Sequence, residues 1–205
     1  MLQKKPSLSD AVAEALREES DLRNLTFVQE DAPELSPGSM DLIGCTFTGC
    51  HLTDCRFDHT GFQNVVFDRC DLSGSRFFEG GLKDVRFVDC RLIGAVLTDC
   101  TLNSVTFSGC GARYLYLSGC TLKNCLLERC MCAGGGLISL KLQKTGFDGC
   151  DFTGCDFRST DLAGCDLSGC TIEGCTWTPE LLKNLTVNMQ QALELARLLG
   201  LNIIP

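Results

Sequence analysis

A strict five-residue repeat dominates this sequence. Counting every fifth residue from Leu42 to Trp177, 26 of 28 positions hold Leu, Phe, Ile or Trp, and only Ala112 and Cys132 differ. No residue is inserted or deleted within this stretch. A strand repeats every two residues and an α-helix every 3.6, so neither would place these side chains on one side. The chain must therefore turn a corner every five residues and return one side chain per step to a shared interior.

The positions around each apolar residue support this geometry. The residue two before it is nearly always small, as an inner corner requires, and the residue two after it is often Gly, Asn or Asp, which favour turns. Segments such as Cys150-Asp151-Phe152-Thr153-Gly154 show the whole pattern. Over roughly residues 40 to 179 the sequence resembles the pentapeptide-repeat family, in which four pentapeptides form a square coil. The resemblance implies an all-β solenoid, a right-handed quadrilateral parallel β-helix of about seven coils.

The two ends of the chain are expected to cap this rod, because open coil ends would expose unpaired backbone. Residues 1–39 are predicted to form an N-terminal helix and cap, with Ser7 or Ser9 as the helix N-cap. The five-residue phase survives at Leu22 and Phe27, which indicates a partial coil beneath the first full one, and it lapses in a predicted loop at 29–39. Residues 40–179 form the β-helix. Residues 180–205 form a C-terminal helical cap. It begins near Thr178-Pro179 and continues as a second helix from Asn188 to Leu199, which Gly200 ends.

The C-terminal segment carries more apolar residues than a cap needs, and it resembles the dimerising end of the quinolone-resistance members of the family. We expect a homodimer formed through this segment. The residues predicted to face the second subunit are Met189, Leu193, Ala196, Leu199, Ile203 and Ile204.

Fifteen of the sixteen cysteines occupy the small inner-corner position. Three interpretations are open: small buried residues, disulfides between coils, or ligands of a soft metal. The first is favoured, because parallel side chains about 4.8 Å apart hold Cβ atoms too far apart for a disulfide. A linear stack also does not converge as zinc requires. Seven of these cysteines are predicted to stack on one face: Cys50, Cys70, Cys90, Cys110, Cys130, Cys150 and Cys170.

Outward positions on one face suggest a surface for a partner. Apolar residues recur there on consecutive coils, next to an arginine and a corner tyrosine, and interface cores favour aromatic residues and Arg. Flat β-surfaces also tolerate such residues without any partner. The predicted interaction patch consists of Arg76, Phe78, Val96, Tyr114, Tyr116 and Ile138. The Ala112 and Cys132 positions should either narrow the rod or be filled by Leu115 and Leu140.

The sequence offers little for catalysis. His51 and His59 stand at outward or corner positions, Asp151, Asp156, Asp161 and Asp166 are spread around four faces, and a filled rod has no concave pocket. We expect no enzyme activity, cofactor or metal. The net charge of −8 argues against direct nucleic-acid binding, and no apolar stretch reaches the length of a membrane span. We expect a soluble, cytoplasmic protein.

Two functional classes follow from the resemblance. Family members of similar size and C-terminal layout protect DNA gyrase or topoisomerase IV from quinolones by mimicking duplex DNA, which makes a type II topoisomerase one candidate partner. The alternative is a structural or adaptor scaffold that binds another protein and has no topoisomerase role. Two features differ from what the topoisomerase class implies. Arginines such as Arg56 and Arg86 interrupt the acidic charge, and residues 42–177 contain no insertion that could form a projecting loop.

Overall fold

The computed structural model describes residues 6–198 together with Gly200, Leu201 and Ile204. The chain winds into a β-solenoid with twenty residues per coil, and each strand pairs in parallel with the strand twenty residues later. Phe87 lies opposite Phe107, for example, and Leu97 lies opposite Leu117. The predicted corner every five residues is therefore confirmed.

Four faces, here called A to D in chain order, surround one interior. Face A is a seven-stranded sheet, face B a second seven-stranded sheet, and face D a five-stranded sheet. Face C is a column of isolated parallel bridges that runs from Asp31 to Thr171. The strands of face A are Leu22–Arg23, Asp41–Ile43, Gly61–Gln63, Gly81–Lys83, Thr101–Asn103, Thr121–Lys123 and Lys141–Gln143. Those of face B are Thr26–Val28, Thr46–Thr48, Val66–Asp68, Arg86–Val88, Thr106–Ser108, Leu126–Glu128 and Gly146–Asp148. Those of face D are Arg56–Asp58, Arg76–Phe78, Val96–Thr98, Tyr116–Ser118 and Gly136–Ile138.

The corners depend on left-handed backbone two residues after each interior side chain. Glycine supplies it at Gly44, with φ of 64°, and asparagine at Asn64, with φ of 53°. Glycine adopts this region without cost and Asn tolerates it well, which explains the turn residues in the repeat. Tyr114 adopts the same conformation, with φ of 59°. A bulky residue there is unusual.

The interior is a stack of rings and aliphatic side chains. In the face B column, the rings of Phe67, Phe87 and Phe107 are nearly parallel, with successive centroids 5.1 and 4.7 Å apart. The small inner-corner residues are buried beside them. This packing confirms that each coil buries apolar surface against its neighbours, as expected for a solenoid.

The N-terminal cap contains a helix, α1 (Leu8–Arg17), whose N-cap Ser7 accepts a hydrogen bond from the backbone N–H of Asp10. The helix buries Leu8, Ala11, Val12 and Ala15 against the first coil.

The predicted loop at residues 29–39 is wrong. Asp31 forms a parallel bridge with His51, and the side chains of Ala32 and Pro37 are buried. These residues complete the third and fourth faces of a first coil, so the coiled path already begins at Leu22. The repeat is obscured here because α1 lies over this coil, where Leu8 lines a small internal space together with Leu35 and Pro37.

The coiled path also continues past residue 179 at the other end. The segment Pro179–Leu181 is one turn of 3-10 helix, and the hydroxyl of its N-cap, Thr178, accepts a hydrogen bond from the N–H of Ser159. Thr186 still forms a parallel bridge with Asp166. The predicted helix start at Thr178-Pro179 is therefore confirmed as this single 3-10 turn, and the coiled path continues beyond it.

A second helix, α2 (Met189–Leu198), follows, in agreement with the prediction except that Leu199 lies outside the described residues. Asn188 and Gln191 form a reciprocal capping box, because each side-chain oxygen accepts a hydrogen bond from the other residue's N–H. The buried amide of Gln191 also donates to the carbonyl oxygens of Leu167 and Cys170, at 2.9 and 2.7 Å. Gln191 therefore joins α2 to the last coil.

Replacing Gln191 with leucine is expected to lower the free energy of unfolding by about 2 kcal/mol, because two buried carbonyl groups lose their donor and the helix loses its cap. Urea unfolding of the variant measures the loss. Gln190→Leu, at the adjacent exposed position, is the control and should change stability by less than about 0.5 kcal/mol. Equal stability of the two variants would contradict this role of Gln191.

Candidate interaction surface

The predicted patch lies on face D, but in two columns. Arg76, Val96 and Tyr116 occupy successive rungs of the first column. Phe78 and Ile138 lie in the second column, where Thr98 and Ser118 separate them. The structure thus brings Val96 and Tyr116 together but keeps Phe78 and Ile138 three rungs apart. Side chains on either side of an interior residue form separate columns, so the predicted residues share one face and its corner but not one column, and their role in binding a partner stays a prediction.

On the earlier coil of the patch, Arg76 and Phe78 contact other side chains of this chain. Arg76 donates two hydrogen bonds to the carboxylate of Asp58, and the pKa of Asp58 is lowered chiefly by this contact. Phe78 is half-buried, and its ring meets that of His59 edge to face with centroids 5.6 Å apart. Arg76 and Phe78 are therefore already partnered within the chain.

On a later coil, the patch contains two exposed tyrosine rings. Tyr114 is 58% exposed and Tyr116 is 40% exposed. Each ring lies over a glycine of the next coil: a Cβ atom added to Gly134 would stand 2.7 Å from Cε1 of Tyr114, and one added to Gly136 would stand 2.6 Å from Cε2 of Tyr116. Only glycine leaves room for the rings at these two positions. The two tyrosine rings thus pack against the backbone of these glycines.

Two further exposed apolar residues lie on the neighbouring face C. Ile93 is 39% exposed and Met131 is 56% exposed, and both lie on coils next to the tyrosines. The guanidinium carbon of Arg113 stands 5.9 Å from the centre of the Tyr114 ring. The sequence reasoning missed Ile93 and Met131 because it considered one face at a time, although their outward positions were readable from the repeat. We call Ile93, Val96, Tyr114, Tyr116 and Met131 the tyrosine corner.

The interior beneath the tyrosine corner departs from the repeat. The small side chains of Ala112 and Cys132 occupy interior positions on adjacent rungs, and Leu115 and Leu140 fill inner-corner positions that are normally small. Both leucines are buried, with 2% and 3% exposure. That these leucines fill the volume left by Ala112 and Cys132 stays a prediction.

The seven predicted ladder cysteines are all buried. The six from Cys50 to Cys150 each donate a thiol hydrogen bond to a carbonyl group of the coil below, with an Sγ–O distance of 3.3 Å from Cys90 to Phe67. In the described part of the chain all sixteen cysteines are free thiols. Burial raises the pKa of Cys55 and Cys155, which lie outside the ladder, to about 11. Such thiols are poor nucleophiles near neutral pH.

These thiols make stability depend on pH. An unfolded thiol loses its proton near pH 8.5, whereas Cys55 and Cys155 keep theirs to about pH 11 in the fold. Their stabilising effect is complete below the unfolded pKa and is lost as the pH rises through the folded values. We expect the free energy of unfolding to fall by about 2–3 kcal/mol between pH 8 and 9.5. Urea unfolding across this range checks the fall.

The matched control for the pH effect is Cys55→Ser combined with Cys155→Ser. Serine already occupies this inner-corner column at Ser75, where its hydroxyl donates to the carbonyl of Leu52 at 2.7 Å. The double variant should show a shallower decline with pH. An identical decline would assign the effect to other groups.

The C-terminal residues predicted to form a dimer have mixed positions. Met189 is 84% exposed, Leu193 is 45% exposed and Ile204 is 86% exposed, whereas Ala196 is half-buried. Leu199 and Ile203 lie outside the described residues. Leu198 and Leu201, which were not predicted, are also exposed. The described part of α2 therefore presents apolar side chains to solvent.

The remaining candidate groups have local roles. His51 lies 3.9 Å from Asp31 and His59 lies 3.4 Å from Glu79. The carboxylates at positions 151, 156, 161 and 166 each accept a hydrogen bond from the backbone N–H two residues later, so they stabilise their own turns. Among the described residues, no three His, Cys, Asp or Glu side chains converge as a metal site would require. Neither described helix has the length and apolar character to cross a bilayer.

Comparison with known proteins agrees with the coil geometry. A family model described as a pentapeptide repeat region matches residues 40–110 and 60–137, and a second, described as pentapeptide repeats (8 copies), matches residues 140–175. The search of curated proteins found no significant match.

Solved structures of low identity also align. QnrB1, a plasmid-mediated fluoroquinolone resistance protein, is 17% identical with a TM-score of 0.38, and the alignment covers 91% of this chain and 92% of that one. HetL, involved in heterocyst differentiation regulation in the cyanobacterium Nostoc sp. strain PCC 7120, is 13% identical with a TM-score of 0.30, over 89% and 95%. Rfr23 from the cyanobacterium Cyanothece 51142 is 14% identical with a TM-score of 0.24, over 86% and 97%. On the evidence of the family models and the unbroken repeat, this chain belongs to the pentapeptide-repeat family.

Proposed function

We propose that this chain is a non-catalytic, protein-binding solenoid and that the tyrosine corner is its principal contact surface. The observation that carries this proposal is the placement of two exposed tyrosine rings over Gly134 and Gly136. Ordering a side chain on binding costs free energy, and a ring already held against a glycine has lost much of that freedom beforehand. The corner is thus suited to act as a rigid anchor.

The composition of the corner favours a protein as the partner. Tyrosine, methionine and arginine are enriched in protein interfaces, and tyrosine offers a large apolar ring together with a hydroxyl that can form a hydrogen bond. Met131 adds a flexible side chain that adapts to an irregular surface. The guanidinium of Arg113 lies over the Tyr114 ring, where its outer N–H groups are available to a carboxylate of the partner.

The test is affinity capture from extract of the native host, with Tyr114→Ala combined with Tyr116→Ala. We expect a protein that wild type captures in a stoichiometric amount to be lost by the double variant. Phe78→Ala combined with Ile138→Ala, on the same face but outside the corner, is the matched control and should retain the partner. Equal capture by all three proteins would remove the tyrosine corner from the proposed function.

For the identity of the partner we propose a type II topoisomerase as the first to be tested. A rod of net charge −8 supports this choice, because a DNA-binding enzyme presents basic surface to such a shape. Gyrase supercoiling is measured with and without a quinolone, at micromolar concentrations of this protein. Restored supercoiling in the presence of the drug is the expected result. No effect on either reaction would leave the adaptor scaffold, the second class, as the function.

We further propose that the protein is a homodimer through α2, supported by the exposure of Met189, Leu193 and Leu198. Burying these side chains against a second copy would stabilise a dimer by the hydrophobic effect. Light scattering of the Met189→Glu and Leu193→Glu double variant should give a monomer where wild type gives a dimer. Leu16→Glu, at the exposed Leu16 of α1, is the control and should leave the dimer intact. A wild-type monomer at micromolar concentration would refute the dimer.

A further inference from the structure

Face A carries a strip of lysines in a protein that is otherwise acidic. Between Gly81 and Lys144, this face and the corner after it contain four exposed lysines and one aspartate, Asp84. The rest of the strip is neutral and polar, with threonine, serine, asparagine and glutamine side chains. The lysines are Lys83, Lys123, Lys141 and Lys144.

The strand register places these lysines close together. Lys83 and Lys123 lie in one column with Asn103 between them, and Lys141 lies beside Thr121 in the other column. At about 4.8 Å per rung, the strip is about 14 Å long over its four coils. This length matches a short run of acidic residues on a partner.

The lysines differ from the arginines in how they are used within the chain. Six arginines form ion pairs with Asp or Glu, as Arg69 does with Asp68 at 2.7 Å. In the described part of the chain no ion pair includes a lysine. The positive charge of the strip is therefore not neutralised by neighbours in direct contact.

A recess adjoins the strip at Gly81. It has a volume of about 320 Å³ and is lined by Phe62, Leu82, Thr101 and Lys83 and, at its far side, by the carboxylate of Asp41 over Gly61, so an uncharged side chain suits it best. A Cβ atom added to Gly81 would meet no heavy atom within 4 Å. The recess thus offers space for one side chain of a partner next to the ammonium group of Lys83.

We propose that face A binds an acidic segment of a protein partner, with carboxylates on the lysine strip and one side chain in the recess at Gly81. Long polyanions fit less well, because the net charge of −8 repels them while the strip offers only four cations. A short acidic segment contacts only the strip and avoids the acidic surface around it. The lysine strip shares no residue with the tyrosine corner, so binding at one surface can be tested without the other.

The experiment uses a fluorescein-labelled peptide that contains four consecutive glutamates as the probe and fluorescence anisotropy as the readout at low salt. We expect binding that weakens as ionic strength rises, because exposed charges are screened. Lys123→Glu combined with Lys141→Glu should weaken binding more than tenfold. Arg56→Glu combined with Arg86→Glu makes the same change in net charge on faces D and B, and should weaken binding less than threefold. Gly81→Leu fills the recess without altering charge and should weaken binding at least threefold.

Several results would overturn the proposal. These are the absence of binding to wild type, equal losses in the two charge-reversal pairs, and full affinity of Gly81→Leu. Duplex DNA and vesicles of phosphatidylserine are the comparison probes. Tighter binding of either one through Lys123 and Lys141 would assign the strip to that polyanion instead of a protein. The variant with Lys123→Glu and Lys141→Glu is also tested in the affinity capture described above. If it still captures the partner that depends on Tyr114 and Tyr116, a failure of the face A proposal is distinct from a failure of the proposed function.

Discussion

Replacing Phe87 with alanine is expected to lower the free energy of unfolding by about 3–5 kcal/mol, the largest effect we predict for a single substitution. The Phe87 ring is 1% exposed and lies between the rings of Phe67 and Phe107, tilted by only 6° and 2° from them. Hydrogen bonds between successive coils fix the spacing of the rungs, as from the N–H of Arg86 to the carbonyl of Val65 at 3.0 Å. The cavity left by the ring therefore cannot close easily.

Phe87→Leu is the informative comparison for this substitution. The same column contains Leu127, which is 1% exposed, so the column already accepts leucine at one rung. We expect Phe87→Leu to cost about half as much as Phe87→Ala, since leucine retains most of the buried volume. Val28→Ala removes apolar atoms at a face B position that is 57% exposed, so it is the control and should change the free energy of unfolding little. A loss of less than 1 kcal/mol for Phe87→Ala, measured by urea unfolding, would show that the coils collapse into the cavity.

The second large effect is expected for Gly135→Ala, at about 3 kcal/mol of lost stability. Gly135 is an inner-corner residue directly above Leu115. A Cβ atom at this position would stand 2.5 Å from the carbonyl oxygen of Leu115 and 2.9 Å from that of Cys132. Both obstacles are backbone atoms held by hydrogen bonds, so they cannot rotate away. The substitution must displace a coil beneath the tyrosine corner.

Gly111→Ala tests whether this effect is specific. A Cβ atom at Gly111 would meet nothing within 4 Å, and its backbone is not left-handed. We expect Gly111→Ala to change the urea midpoint little. The displaced coil should also shift the rings of Tyr114 and Tyr116, which changes tyrosine fluorescence in Gly135→Ala but not in Gly111→Ala. Equal midpoints for the two variants would mean that the inner corner tolerates a methyl group at position 135.

Much of the fold was readable from the sequence because the repeat is local. Each pentapeptide specifies its own corner through a small residue, an interior residue and a turn residue, so the five-residue phase predicts which side chains enter the shaft. This is why Leu92 and Leu117 were correctly placed inside, and why Cys90 and Cys110 were correctly stacked. The prediction weakened where other elements cover the coils. Ala32 and Pro37 break the pattern under α1, and the coil at Thr186 is obscured because α2 follows at once.

The five-residue phase by itself determined which side chains enter the interior, the burial of the cysteines and the outward position of the patch residues, whereas the four-sided coil followed from the resemblance to the family. The tertiary structure decided which outward residues share a column, which of them are already partnered, and which glycines lie beneath the tyrosines. Those properties depend on contacts between residues about twenty positions apart and on side-chain direction, which a five-residue phase does not specify. Gln191 shows the same limit, because its role depends on carbonyl groups exposed only at the end of a completed coil.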